Sequence, residues 1–139
     1  MSSSMRIAAF AIAATAAVGC TSSGTGSSGF VQSGPVTFQD VQSSILTPRC
    51  ATSGCHDQNG AFGLDLRAGQ SYANLVGVAS AEVPSYDRVD PFNPIDSYLF
   101  MKVTDDPRIL GDPMPALGQS LSDAQLQLIA AWIADGANP

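Results

Sequence analysis

Cys50, Cys55 and His56 are the residues of this 139-residue chain whose types and spacing can do chemistry together. The histidine is the chain's only one, and it follows the second cysteine directly in the run CATSGCH. Thiols add across vinyl groups and an imidazole ligates iron, so this set matches the C-x-x-C-H pattern that holds a haem by its edge and by its metal. Four residues separate the thiols here instead of two. Ala51, Thr52, Ser53 and Gly54 are small, and the glycine lets the surplus pair bulge outward while both sulfurs keep their reach.

Two other uses of the same residues stand beside that one. A turn at Ser53-Gly54 would bring the two cysteine Cα atoms within roughly 7 Å, close enough for a structural disulfide in an exported protein. Zinc takes the same donor types, although the chain offers few further ligands. His56 favours the iron reading, because a disulfide has no use for an adjacent imidazole.

An iron held by His56 has a second axial position to fill. With no second histidine, a thioether is the remaining soft donor, and beyond Met1 and Met5 the chain has only Met101 and Met114. Met114 lies between Pro113 and Pro115, in a loop of restricted backbone freedom directly before the last predicted helix. That suits a ligand to a metal whose geometry should not change between oxidation states. Met101 falls inside a predicted helix and is explained by core filling. The third choice is an open or water-filled position.

The elements that must position these residues are helical. Thr37 can cap a first helix with Phe38, Val41 and Ile45 on one face, ended by Pro48 just before the cysteines. Residues 59–68 read as a turn followed by a short extended piece with Leu64 and Leu66 facing one way. Gln70 to Val76 predicts a brief helix, and the proline-rich stretch from Gly77 to Pro94 a loop wrapped over something. A further helix is expected over Ile95 to Val103. The last is the best specified: Ser122 and Gln125 form a capping box, Leu121 and Leu126 a hydrophobic staple, and Gly136 a stop. Its apolar stripe is Leu126, Ile129, Trp132 and Ile133, with Trp132 expected to pack on the first helix.

The first 34 residues declare a destination. Residues 1–19 read as a signal peptide, because the apolar run from Ile7 to Val18 is 12 residues long and a membrane span needs about 20. Ala17-Val18-Gly19 before Cys20 resembles the lipobox of bacterial lipoproteins, which makes Cys20 the lipidation site and the mature N-terminus. Residues 20–34 are nearly all serine, threonine and glycine after that cysteine, a flexible tether with a reach of about 20 Å. Thr21 in place of aspartate after Cys20 points to the outer membrane. Residues 35–139 then have the composition of one folded domain. Arg49, Arg67, Arg88, Lys102 and Arg108 are its basic residues, against the chain's 12 carboxylates. So acidic a chain, with no basic stripe, excludes nucleic-acid binding.

Taken together, the helix ending in ILTPRC, the CATSGCH run, the GLDL piece, the SYLFMKV helix, the methionine-proline loop and the closing LSDAQLQLIAAWIADGA helix resemble a bacterial class I c-type cytochrome. The likeness spans residues 36–137, in the envelope-lipoprotein variant with a widened C-x4-C-H site. It implies an all-α fold: a small helical domain wrapped around one covalently bound haem c, with a loop-rich middle. Cys50 and Cys55 would be the thioether residues, His56 the proximal ligand and Met114 the distal one. The implied role is single-electron transfer in the cell envelope by Fe(II)/Fe(III) cycling, with redox proteins bearing basic docking surfaces as partners. Such a carrier is not an enzyme, and the chain offers no G-x-S-x-G, no H-E-x-x-H and no spare histidine. The alternatives are a lipid-anchored binding or structural module closed by a Cys50–Cys55 disulfide, and a small peroxidase-like haem protein.

Overall fold

Caps and apolar stripes place the helices. In a computed structural model of the chain, which describes residues 34–116 and 119–139, the first helix starts where Thr37 accepts from the Asp40 amide while Asp40 accepts from the Thr37 amide. This reciprocal box satisfies donors that a helix start otherwise leaves open. The helix α1 covers Phe38–Val41 and runs on without a break as wider π-helical turns over Gln42–Cys50. Pro48 therefore does not end it. In the wider turns the Ala51 amide reaches back five residues to the Leu46 carbonyl at 2.8 Å, a spacing that relieves the clash a proline ring makes in an α-helix. The helix thus delivers Cys50 as its last residue.

The middle is short pieces: a 3-10 turn at Ala61–Gly63, α2 at Ser71–Leu75, a 3-10 turn at Pro94–Asp96 and α3 at Tyr98–Thr104. Helix α3 begins three residues later than its sequence suggests, because Pro94–Asp96 closes its own tight turn. Ser97, fully buried, turns its hydroxyl back into that turn: it accepts from the Asp90 amide and donates to the Asn93 carbonyl. Between α2 and α3 the chain makes only two isolated bridges, Val76 with Val89 and Ala79 with Asp87. Among the described residues there is no sheet, so the architecture is all-α.

The last helix, α4, covers Asp123–Ala134. Ser122 and Gln125 form its capping box. At the other end the Gly136 amide bonds the Ile133 carbonyl and the Ala137 amide bonds the Trp132 carbonyl, a closing pattern that needs the positive φ of Gly136, 97°. Helix α4 packs on α1 as expected, with the Phe38 and Trp132 rings 5.1 Å apart and Tyr72 edge-on to Phe38. Trp132 donates to the Asn138 carbonyl and Tyr72 to the Ala137 carbonyl, so both rings tie the C-terminal residues to the core. Val41, Ile45, Leu46, Leu75, Ile129 and Ile133 fill the space between. Buried Gln42 is satisfied by Leu66, Thr47 and Ser71, which fastens the π-helical stretch to α2 and to the extended piece. No helix among the described residues is long and apolar enough to cross a membrane.

Candidate functional site

The backbone around the cysteines is a closed loop. The His56 amide donates to the Cys50 carbonyl at 3.1 Å, so the two residues are neighbours although five others lie between them. Inside that loop the Cys55 amide bonds the Thr52 carbonyl, and Gly54 takes a φ of 80°, the left-handed region that suits glycine. Thr52, Ser53, Gly54 and Cys55 are exposed. The surplus residues do bulge outward.

Asp57, which sequence reasoning missed, holds the bulge from the far side. Its carboxylate accepts from the amides of Gly54 and Asn59, and these bonds keep its pKa below the usual carboxylate value. An aspartate two residues before Asn59-Gly60 is a local turn signal that would have found it. Gly60 then packs so closely that a Cβ there would stand 2.1 Å from the Leu64 carbonyl oxygen. The Leu66 amide returns to the His56 carbonyl at 2.9 Å, which sets the extended piece alongside the histidine.

Beside this loop opens a cleft whose lining is almost wholly apolar carbon. The cavity is small, about 100 Å³, and partly open to solvent. Cys50, His56, Leu64, Leu66, Leu75 and Met114 all line it. Three of the four expected cofactor residues thus converge on one cavity from segments far apart in sequence. The fourth, Cys55, is exposed and outside the lining. The two thiols are not bonded to one another. Met101 is buried and does not reach the cleft. Cys20 lies outside the described residues, as do the expected signal peptide and all but the last residue of the tether.

The electrostatics of the site follow from burial. Desolvation lowers the His56 pKa, the nearby Lys102 and Arg88 charges push the same way, and the Leu64 carbonyl and Glu82 oppose them. The neutral imidazole that results is the form that binds metals. Its Nδ1 is buried without a hydrogen-bond partner. Burial raises the Cys50 thiol to about 11, against a smaller opposite pull from Arg49.

One polar cluster on the cleft wall was not legible in the sequence. Lys102 is only 8 % exposed, and its ammonium lies 3.0 Å from Glu82, which also accepts from the Tyr98 hydroxyl at 2.8 Å. All three line the cleft, as does Arg88, whose guanidinium donates to the Asn74 carbonyl. Tyr86 is elsewhere, under the Arg108 guanidinium. Among the described residues no group of three or more histidine, cysteine or carboxylate side chains is arranged to hold a bare metal ion. Comparison with protein-family models, with curated proteins and with solved structures gives no match.

Proposed function

We propose that this domain is a monohaem c-type cytochrome that carries single electrons, anchored in the bacterial cell envelope through a lipidated Cys20. The observation that carries the proposal is the convergence of Cys50, His56 and Met114 on one apolar cleft. Two metal-ligating side chains and a thiol lining a cleft of apolar walls fit a flat macrocycle with a metal at its centre, and fit a solvated ion poorly.

Haem c, once bound, supplies reversible one-electron chemistry at iron. The chain's own residues do the rest. Cys50 at the end of the π-helical stretch, and Cys55 on the bulge, would hold the ring by thioether bonds. His56 and Met114 would be the side chains that ligate its iron. Leu64, Leu66 and Leu75 give the cleft apolar walls, and histidine-methionine ligation in such surroundings would raise the reduction potential relative to two histidines. The acidic surface suits redox partners with basic docking faces.

The test is a reduced-minus-oxidised visible spectrum with a pyridine haemochrome assay, on the full chain matured in a host that carries the cytochrome c assembly machinery. Haem that survives denaturation, with the sharp α band of two thioether bonds, is the expected result. A colourless protein from that host would overturn the proposal and leave the lipid-anchored, disulfide-closed module. Ready binding of cyanide or peroxide to the haem would point instead to the peroxidase-like alternative.

A further inference from the structure

The loop that carries Met114 has little apolar surface to hold it down. Asp105, Pro107, Arg108, Leu110, Gly111, Asp112 and Pro113 are all exposed, Leu110 to 55 %. What fixes this stretch is hydrogen bonding. Arg108 ties its outer part to Asp96 and the Ile95 carbonyl at the surface. The inner part is held by the cluster on the cleft wall. The Tyr98 hydroxyl accepts from the Leu110 amide at 3.0 Å, the Lys102 ammonium donates to the Leu110 carbonyl at 2.8 Å, and the Lys102 carbonyl accepts from the Met114 amide at 2.7 Å. Glu82 joins the two side chains, accepting from both.

A buried ammonium is tolerated only when it is paired and its hydrogens are used, so the side-chain contacts of Glu82, Tyr98 and Lys102 stand or fall as a set, while the Met114 amide is held by the Lys102 main chain. Their outlet is Leu110, directly before Gly111 to Pro113, and the Lys102 main chain holds the far side of that segment at Met114. We infer that Glu82, Tyr98 and Lys102 are positioning residues that present Met114 to the cleft. The inference rests on the haem reading above. The three residues touch neither the iron nor an electron; they set where the Met114 thioether stands, and with it how firmly the distal position is filled.

The experiment uses the full chain matured with haem, as wild type and as Tyr98→Phe, Lys102→Met and Lys102→Arg. Two quantities are read: the weak far-red ferric band that thioether ligation gives, and amide hydrogen exchange at Leu110 and Met114 relative to Ile129 and Trp132 in α4. In Tyr98→Phe, which removes its acceptor, the Leu110 amide is expected to exchange about tenfold faster, the factor for one hydrogen bond of ordinary net strength; in Lys102→Met, which leaves the Leu110 carbonyl without its donor, both loop amides are expected to exchange faster as the loop loosens. The α4 amides stay within about twofold. The far-red band weakens in the same two variants and returns in Lys102→Arg, which keeps the charge and the donors. Should Lys102→Met fail to fold, Tyr98→Phe decides alone, since it removes one oxygen atom. An unchanged band with unchanged loop exchange overturns the assignment, and so does equal acceleration throughout α4. A wild-type chain without haem overturns the haem reading itself, an outcome distinct from both.

Discussion

The His56 amide donates to the Cys50 carbonyl, so the chain comes back to the end of the helix after five intervening residues. The chain leaves the helix at Cys50, makes its excursion through the bulge and returns to where it left. Two glycines shape the route for different reasons. Gly54 has a positive φ and nothing within 4 Å of where a Cβ would stand, so Gly54→Ala costs backbone strain alone, about 1–2 kcal/mol. Gly60 has an ordinary φ of −47°, but its Cβ would strike the Leu64 carbonyl, so Gly60→Ala is a steric change. We expect it to cost about 3 kcal/mol or more, the upper end for overpacking. Urea denaturation of the two variants checks the order. A Gly60→Ala chain as stable as wild type would show that the Asp57–Leu66 turn is not packed as described.

The two thiols should differ sharply before any cofactor is attached. Cys50 is buried with its thiol raised to about 11, while Cys55 is exposed. A rise from the usual 9.0 leaves about a hundredfold less thiolate near neutral pH, and burial slows access further. In a haem-free Cys20→Ser chain, iodoacetamide should therefore modify one cysteine quickly and the other at least about a hundredfold more slowly. Peptide mapping identifies the fast site, and equal rates would sink the expectation.

The same shift makes a statement about stability. The folded state holds the Cys50 proton more tightly than the unfolded state does, so its contribution is fully present below pH 9.0 and is lost as pH rises through about 11. The size is of order 2–3 kcal/mol. Denaturation midpoints of the haem-free chain should fall across that window, and Cys50→Ala should remove this part of the fall.

How much of this could be read from the sequence depends on how local each signal is. The boxes at Thr37 and Ser122 and the stop at Gly136 join residues three to five apart, and each stands where its residue types put it. Pro48 misled because the rule that ends a helix at proline assumes α-helical spacing, and this helix had already widened. Met114 was legible by elimination, and its place on the cleft follows from the fold. Glu82, Tyr98 and Lys102 were not. Glu82 is 16 residues from Tyr98 and sits in an irregular loop, so no periodicity or cap marks the pair. A lysine next to Met101 in an amphipathic helix reads as solvent-facing until its partner is seen.

The helix α4 offers a check on the fold apart from any cofactor. Ser122→Ala removes the acceptor for the Gln125 amide and strands the partner side of the box. The expected loss is about 1 kcal/mol, the ordinary value of such a cap. Trp132→Ala should cost about 3–5 kcal/mol, because the ring is 1 % exposed and packs on Phe38. Circular dichroism melts of both variants test this ranking, and a Trp132→Ala chain that melts with wild type would contradict the α1 to α4 packing.

The two methionines give the sharpest contrast. Met101 is 1 % exposed and away from the cleft, so Met101→Leu is a volume-conserving core change worth less than about 1.5 kcal/mol, with no effect on haem spectra. Met114 lines the cleft and is half-buried, so Met114→Leu removes a thioether while disturbing the core little. In the haem-bearing chain it should abolish the far-red ferric band and open iron to cyanide or carbon monoxide. It should also lower the reduction potential by on the order of 0.1–0.3 V, a fraction of the roughly 0.8 V that axial ligands span. Under the proposed attachment through Cys50 and Cys55 the haem should stay bound, since neither cysteine nor His56 is changed. Retention of the far-red band in Met114→Leu, or its loss in Met101→Leu, would take the distal position away from Met114 and return it to the other methionine or to water.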